Sequence, residues 1–152
     1  MNESVHFMSR RDDWATPQDF FDKLNEKFKF DLDVCADASN AKCKRYYSIE
    51  DDALLKTWRG YCFMNPPYGR EITKWVKKAY ESASTGEATV VCLLPSRTDT
   101  RWWHDYVMKA STVWFLRGRL KFDGHKNSAP FPSVVAAFGK YPQYQWGFFT
   151  YE

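Results

Sequence analysis

The sequence lacks the residue spacings that mark metal-binding and disulfide-rich proteins. It has four cysteines but no Cys-x-x-Cys pair, and this distribution argues against a zinc ribbon or a disulfide framework. Its three histidines, His6, His104 and His125, lie far apart and show no metal-ligand spacing. We therefore expect no bound metal, and reduced, mostly buried thiols at Cys35, Cys43, Cys62 and Cys92.

The sequence also has no signal-peptide pattern and no long apolar run, and we expect a soluble protein of the cytoplasm. It shows no internal repeat and no low-complexity tract. With 152 residues, 44% of them hydrophobic, we expect a single domain over residues 14–152 after a flexible polar arm at residues 1–13. The net charge of +3 is compatible with a nucleic-acid partner but does not require one.

What the sequence does contain is an alternation of helix-like and strand-like segments. Apolar residues recur at helical spacing from Phe20 to Phe28, and we predict that Thr16 caps this helix. The uninterrupted apolar run at residues 88–94 is typical of a parallel strand covered on both faces. Further strands are predicted at residues 30–34, 45–49, 61–64, 112–116, 133–138 and 144–151, with a second long helix after Arg70. This order predicts a three-layer α/β sandwich, with a mostly parallel sheet and a closing antiparallel pair.

The most informative stretch is Asn65-Pro66-Pro67-Tyr68, which follows an apolar strand and precedes a helix. Open α/β sheets bind ligands at this end of a strand. The prolines fix the backbone and donate no hydrogen bonds, so their carbonyls are free to accept. Asn65 Oδ1 and the Pro66 carbonyl could each accept one hydrogen of a planar amine, and Tyr68 could stack on its ring. The alternative is a proline-stiffened turn with an exposed tyrosine.

Two acidic positions are candidates for contacts with a cofactor. Asp33 ends the first predicted strand and precedes small residues, where a cationic or hydroxyl-bearing group could dock. A solvated strand end would explain it equally well. Asp51 and Asp52 follow about twenty residues later, a spacing that brings an acid to a ribose in dinucleotide-type folds. A plain acidic turn is as consistent with that spacing.

Taken together, six segments between residues 14 and 138 resemble the phage-type DNA N-6-adenine methyltransferases, a family of S-adenosylmethionine-dependent enzymes sometimes labelled Dam. This resemblance implies a Rossmann-like methyltransferase fold, and a phage or prophage protein in a bacterial host. The segments are Trp14-Ala15-Thr16-Pro17, residues 30–36 (FDLDVCA), residues 50–54 (EDDAL), Asn65-Pro66-Pro67-Tyr68-Gly69, residues 94–97 (LPSR) and residues 128–133 (SAPFPS).

The resemblance also implies roles for individual residues. Those expected beside the methionine part of the cofactor are Thr16, Pro17, Asp33, Cys35, Ala36 and Asp37, with Asp33 facing the ammonium group. Asp51 or Asp52 would contact the ribose or the adenine of the cofactor. The residues that match the catalytic motif, which holds the target adenine, are Asn65, Pro66, Pro67 and Tyr68.

The sequence departs from the family pattern in two ways. The usual glycine-rich cofactor loop of methyltransferases is absent, and Cys35-Ala36-Asp37-Ala38 stands in its place. Only about thirty residues separate Asp33 from Met64, so we expect one strand–helix unit to be trimmed. No separate target-recognition domain is evident. We expect sequence readout to come from short loops, from the arm at residues 1–13, or from a second subunit in a homodimer.

DNA is the expected partner, either double-stranded with a flipped adenine or single-stranded, because a stacked base cannot reach a pocket. The basic residues expected to contact its phosphates are Arg97, Arg117, Arg119, Lys121 and Lys126, although a solvated basic loop is an equal alternative. For Trp102 and Trp103 we favour core packing over base stacking. Other functions stay open: methylation of an RNA base or a protein glutamine, or a catalytically inactive DNA-binding module.

Overall fold

The computed structural model of the protein describes residues 14–140 and the backbone of residues 147–149. The predicted arm at residues 1–13 lies outside the described residues, as do parts of the last predicted strand. In chain order the elements are α1 (Gln18–Phe28), β1 (Leu32–Asp33), β2 (Arg45–Tyr46), two 3-10 helices (Ile49–Asp51 and Ala53–Leu55), β3 (Gly60–Met64), α2 (Ile72–Ser84), β4 (Ala88–Pro95), α3 (Arg101–Asp105), a 3-10 helix (Val107–Lys109), β5 (Thr112–Leu116), β6 (Ser133–Phe138) and β7 (Gly147–Phe149).

All seven strands form one sheet in the order β2-β1-β3-β4-β6-β5-β7. The first four of these are parallel, and β6 is antiparallel to both of its neighbours, β4 and β5. At the far edge β7 pairs with β5 in parallel. The predicted α/β fold, with a mostly parallel sheet and antiparallel pairing at its closing end, is confirmed. Among the described strands, β6 is the one with antiparallel neighbours on both sides, and an isolated antiparallel bridge also joins Ala15 to Asp123.

The strand order places the ligand-binding end of the sheet between β1 and β3. The chain runs from β1 outward to β2 and then returns to β3 on the other side of β1. Open α/β sheets form their ligand crevice at such a reversal, beyond the carboxyl ends of the strands. Asp33 ends β1, and Asn65 directly follows β3. The fold therefore brings two predicted site residues to one crevice.

The connections around this crevice are short, as the spacing from Asp33 to Met64 predicts. No α-helix lies within the described residues 34–59, where two 3-10 helices lead from β2 to β3. Trp58 anchors this segment to the core. Its ring is buried, and its Nε1 donates to the carbonyl of Ala53 at 2.9 Å. A buried tryptophan thus takes the place of a packed crossover helix.

Helix α1 covers one face of the sheet with four buried side chains, Phe20, Phe21, Leu24 and Phe28. The prediction that Thr16 caps this helix is wrong. Pro17 occupies the cap position, and no side chain caps the helix among the described residues. The Thr16 hydroxyl instead accepts a hydrogen bond from Asn65, in the crevice.

The remaining core follows the sequence closely. Strand β4 is buried at every residue, as expected for a strand covered on both faces. Trp102 and Trp103 are both buried, so the core assignment of this pair is confirmed. The four cysteines are free thiols; Cys62 and Cys92 are buried, whereas Cys35 and Cys43 are half-buried. Burial raises the pKa of the Cys62 thiol to about 12, which keeps it protonated and unreactive.

Gly139, which follows β6, allows a close approach that a larger residue would obstruct. Its φ is +108°, and a Cβ atom there would lie 2.7 Å from the Ala88 carbonyl oxygen. Gly86 also has a positive φ of +83°, but a Cβ there would meet nothing within 4 Å. We predict that Gly139→Ala lowers the free energy of unfolding by about 1–2 kcal/mol more than Gly86→Ala does. Urea unfolding of the two variants measures this difference, and equal midpoints would contradict it.

Candidate functional site

The crevice between β1 and β3 is a cleft of about 220 Å³. Its floor comes from the strand ends, through Asp33, Phe63 and Asn65. Its walls come from the N-terminal Ala15 and Thr16, from the loop at residues 35–42 and from Asp123. The cleft therefore joins four parts of the chain that are distant in sequence.

The side-chain amide of Asn65 is held in one orientation. Its Nδ2 donates to the Trp14 carbonyl at 2.6 Å and to the Thr16 hydroxyl at 2.8 Å, which uses both amide hydrogens. Its Oδ1 is buried and has no hydrogen-bond partner among the residues that the structure describes. Buried polar atoms are rarely left without a partner, so an acceptor in this state indicates a place for a donor from a ligand.

The prolines add a second acceptor beside Asn65. Pro66 is buried and Pro67 is half-buried. Within the described residues, no hydrogen bond reaches the Pro66 carbonyl. Neither Asn65 Oδ1 nor this carbonyl therefore has a donor among the described residues, and their joint use by an amine stays a prediction.

Tyr68 is far more enclosed than the sequence suggests. Its side chain is only 2% exposed, and its hydroxyl donates to the Leu93 carbonyl at 3.0 Å. The rings of Phe131 and Phe122 pack edge-on against it, at centroid distances of 5.7 and 6.2 Å. Burial raises the pKa of Tyr68 well above its usual value, so the phenol is neutral. Its ring is available to a ligand only if this aromatic cover moves.

Arg97, predicted to contact DNA, makes a contact with the tetrapeptide instead. Its Nη1 donates to the Tyr68 carbonyl at 2.8 Å, although the side chain as a whole is exposed. Arg97 follows β4, next to β3 in the sheet. It therefore fixes the end of the tetrapeptide from the neighbouring strand, and a DNA contact for it stays a prediction.

Asp33 is a buried carboxylate, with 3% of its surface exposed. It accepts hydrogen bonds from the backbone N–H groups of Cys35, at 3.2 Å, and Lys42, at 3.1 Å. Burial outweighs these bonds and raises the pKa of Asp33 to about 6. A cation bound in the cleft would favour the ionised form, as expected of a residue that faces an ammonium group.

The loop that stands in place of the glycine-rich turn is closed by Asp37. Its carboxylate accepts from the backbone and hydroxyl of Ser39, at 2.7 and 2.5 Å, and from the Asn40 backbone, at 3.1 Å. The Ser39 bonds lower the pKa of Asp37. Ser39 and Asn40 line the cleft together with Cys35, whereas Ala36 and Asp37 do not. The cofactor contacts assigned to Ala36 and Asp37 stay predictions.

Asp51 and Asp52 lie outside the residues that line the cleft. The Asp51 carboxylate accepts from the Ser48 backbone at 2.8 Å and from its hydroxyl at 3.1 Å, and these bonds lower its pKa. Asp52 is exposed and has a positive φ of 51°. Both residues thus stabilise or form a local turn, and the ribose contact assigned to them stays a prediction.

Comparison with known proteins decides the family. A sequence model of the DNA N-6-adenine-methyltransferase (Dam) family matches residues 3–140. The chain belongs to this family. A DNA N-6-adenine-methyltransferase of Haemophilus phage HP1 is 35% identical over 119 residues, which cover 76% of this chain and 68% of that protein. The resemblance drawn from the six sequence segments is confirmed.

Two further relatives are similar over different lengths. A DNA N-6-adenine-methyltransferase of Escherichia phage T1 is 31% identical over 116 residues, 74% of this chain, and the match covers about half (48%) of that protein. A putative methyltransferase of Escherichia coli K12, YfdM, is 43% identical over 65 residues, 38% of this chain and 71% of that protein. The family is one of adenine-specific DNA methyltransferases, so the predicted enzyme class is confirmed.

In this Dam-family protein four of the five basic residues predicted to bind DNA lie on one loop. We call the connection between β5 and β6 the closing loop, residues 117–132. Its exposed basic side chains are Arg117, Arg119, Lys121 and Lys126. The loop reaches the cleft at Asp123, whose backbone N–H donates to the Ala15 carbonyl at 2.9 Å. The predicted DNA contacts thus lie on a segment that contacts the site, and they stay predictions.

Sequence reasoning missed the residues that close the site of this Dam-family protein. Trp14 stacks on His125 at 4.2 Å and packs against Phe131 and Phe122. A tryptophan next to a polar arm was a signal for such a contact, since a large ring rarely stays in solvent without a role.

In the described part of the chain, no helix is long and apolar enough to cross a membrane.

The raised pKa of Asp33 predicts how stability depends on pH. Between about pH 4 and pH 6 the folded protein holds a proton on Asp33 that the unfolded chain has released. The contribution of Asp33 to stability is therefore full below pH 4 and is lost as pH rises through 6, by up to about 3 kcal/mol. The Asp33→Asn variant cannot titrate at this position. The unfolding free energy of the wild type, minus that of the variant, should fall across this range.

The measurement is urea unfolding at pH 4, 5, 6 and 7. Asp22→Asn is the matched control, because its carboxylate is exposed on α1 and accepts only from Gln18 within the described contacts. A difference between wild type and Asp33→Asn that stays constant from pH 4 to pH 7 would show that burial does not raise this pKa.

Proposed function

We propose that the protein transfers a methyl group from S-adenosylmethionine to the N-6 amine of an adenine in DNA, with the base flipped out of the duplex or taken from a single strand. The observation that supports this proposal most strongly is the state of Asn65. Its two amide hydrogens are engaged by Trp14 and Thr16, while its Oδ1 is buried without a partner in the described part of the protein.

An acceptor-only site favours an amine over a carbonyl. The exocyclic amine of adenine carries two hydrogens, and Asn65 Oδ1 and the Pro66 carbonyl could each accept one of them. A keto oxygen at the same place would be repelled by Asn65 Oδ1 and the Pro66 carbonyl oxygen, and it would leave both of these acceptors without a donor. Two fixed acceptors also draw the nitrogen away from planarity, which frees its lone pair from the ring. The site then supplies positioning and stabilises the positive charge that develops on the nitrogen.

Tyr68 contributes its ring rather than its hydroxyl. The phenol is neutral and donates to Leu93, so it is not available as a base. The ring packs against Phe122 and Phe131, which cover it. A base that enters would stack on Tyr68 in place of one of these contacts. Since Asn65 Oδ1 and Tyr68 are both buried, the entry of a base requires this cover to move.

The cleft residues fit the cofactor that the family implies. The buried Asp33 carboxylate suits an ammonium group, and the loop at residues 35–42 offers polar groups from Ser39 and Asn40. S-adenosylmethionine, when bound, supplies an electrophilic methyl group on a sulfonium. Pro17 follows Thr16 in the chain but is not among the residues that line the cleft. Asp33, Cys35 and Thr16 are the residues that we expect to hold the methionine part.

After transfer the amine carries an extra proton and is strongly acidic. This proton is lost without a dedicated base. Asn65 only has to hold the nitrogen while its lone pair attacks the methyl group. The closing loop would meanwhile neutralise phosphates with Arg117, Arg119, Lys121 and Lys126, which gives affinity without sequence information.

The role of Asn65 predicts the behaviour of Asn65→Ala. This variant should lose on the order of a hundredfold or more in methyl transfer, because one of two acceptors is gone. Its affinity for S-adenosylmethionine should stay within about threefold of wild type, because the change is on the amine side of the cleft. A threefold change corresponds to less free energy than a typical hydrogen bond contributes. Transfer of labelled methyl groups to DNA, followed by nucleoside analysis, measures the first quantity, and calorimetry measures the second.

The same assay run on RNA and on protein distinguishes the substrate classes. Methyl groups found only on RNA or on protein would overturn the DNA assignment, and a wild-type protein that does not bind S-adenosylmethionine would overturn the enzyme assignment. Full activity in Asn65→Ala would refute the role given to that residue.

The role of Tyr68 predicts a contrast between two variants. Tyr68→Phe keeps the ring but removes the hydrogen bond to the Leu93 carbonyl, so it should lose about 1 kcal/mol of stability while transfer stays within a few-fold. Tyr68→Ala removes the stacking surface and should lower kcat/KM for DNA by roughly 10- to 100-fold. Thermal unfolding and steady-state kinetics measure both effects. An inactive but folded Tyr68→Phe would assign the chemistry to the hydroxyl.

A further inference from the structure

The N-terminal segment at residues 14–16 contacts the catalytic amide more closely than any other part of the described chain. Asn65 Nδ2 donates to the Trp14 carbonyl at 2.6 Å and to the Thr16 hydroxyl at 2.8 Å. Thr16 is 4% exposed, so this bond is shielded from water. We call residues 14–16 the clamp.

We propose that Thr16 and the Trp14 carbonyl are positioning groups that fix the orientation of the Asn65 amide, and that the closing loop holds them in place. This inference rests on the proposed function, because it concerns which atom of Asn65 faces the target amine. It gives Thr16 a second role, besides the contact with the methionine part of the cofactor that the sequence resemblance implies.

Orientation matters because an asparagine amide is nearly symmetric in shape. A half-turn about its last side-chain bond exchanges Oδ1 with Nδ2 at almost no cost in volume. The exchanged amide would present N–H groups to an amine whose own hydrogens need acceptors. The Trp14 carbonyl can only accept, so it pairs with Nδ2 and repels Oδ1. The Thr16 hydroxyl takes the second hydrogen, which leaves no donor of the amide to face the substrate.

The position of the clamp depends in turn on the closing loop. The Trp14 ring stacks on His125, with the ring planes 13° apart, and packs edge-on against Phe131 at 5.0 Å. The backbone is paired as well, since Asp123 N–H donates to the Ala15 carbonyl at 2.9 Å. The same loop carries the basic residues proposed to bind phosphates. The position of the closing loop and the orientation of the Asn65 amide are therefore connected through the few residues of the clamp.

The first test compares Thr16→Val with Thr16→Ser. Valine keeps the shape but removes the acceptor, so kcat should fall by about tenfold or more while the dissociation constant for S-adenosylmethionine stays within about threefold. Serine restores the hydroxyl and should restore most of kcat. Thr89→Val is the matched control, because Thr89 lies on β4, outside the residues of the cleft, and its buried hydroxyl donates to the Lys140 carbonyl.

The outcome also separates positioning from cofactor binding. If Thr16→Val weakens S-adenosylmethionine binding and leaves kcat unchanged, Thr16 is a cofactor contact and the positioning role is wrong. The same conclusion follows if Thr16→Val lowers kcat no more than Thr89→Val does.

A second readout needs neither cofactor nor DNA. The two side-chain amide protons of Asn65 can be identified in an NMR spectrum by their loss in Asn65→Ala. In the wild type both should exchange slowly with water, since both are hydrogen-bonded. In Thr16→Val one of them should shift and exchange faster, and in Thr16→Ser it should return. Unchanged Asn65 resonances in Thr16→Val would overturn the positioning role.

The part played by the closing loop is tested through Trp14→Ala, which removes the ring contacts but not the carbonyl itself. Its kcat should fall by about as much as in Thr16→Val, and the Asn65 amide protons should broaden or shift. Trp75→Ala is the control, because Trp75 is also half-buried but lies on α2 and stacks on Trp58. If kcat falls no more in Trp14→Ala than in Trp75→Ala, the closing loop does not hold the clamp in place.

These tests distinguish two kinds of failure. If the wild type transfers no methyl group to any substrate, the proposed function is wrong, yet the NMR measurements still decide whether the clamp orients Asn65. If the wild type is active and Asn65→Ala is not, but Thr16→Val matches the wild type, only the positioning role is lost.

Discussion

The parallel pairing of β1 with β3 is the constraint on which the site depends. Leu32 and Asp33 lie beside Cys62 and Phe63, and the Val34 N–H continues the pairing to the Phe63 carbonyl at 3.1 Å. This register brings the end of one strand, which carries a buried carboxylate, next to the start of the tetrapeptide. A two-residue strand is sufficient because its neighbour β3 is itself paired along its whole length with β4.

The features predictable from sequence were those carried by local pattern. The alternation of apolar segments gave the order of strands and helices, and Asn65 and Asp33 were found because strand ends are where such folds bind ligands. The features that could not be predicted depend on contacts across long stretches of chain. Thr16 reads as a helix cap, and only its contact with Asn65 shows otherwise. The hydrogen bond from Arg97 to the Tyr68 carbonyl could not be predicted either, because no sequence spacing indicates it, and a phosphate contact for Arg97 stays a prediction.

The absence of the usual glycines has a physical explanation in the loop after β1. A glycine-rich turn lets a backbone approach a cofactor closely, but it is flexible in the unfolded chain. Here the Asp37 carboxylate ties Ser39 and Asn40 into a defined turn, and Asp33 receives N–H groups from both ends of the loop. A polar network thus does the shaping that glycines do elsewhere. Its cost falls on Asp33, whose burial raises its pKa, and a bound cation would offset that cost.

The contact between Trp14 and His125 has a consequence for how the protein is made. The two residues are roughly 110 positions apart in the chain. On the ribosome the clamp emerges long before its partner, and closing so long a loop is entropically slow. When strands β1 to β4 have all been synthesised, His125 has not, so Trp14 still lacks its partner ring. If the closing loop holds the clamp as proposed, the Asn65 amide acquires its final orientation only after that loop has been made.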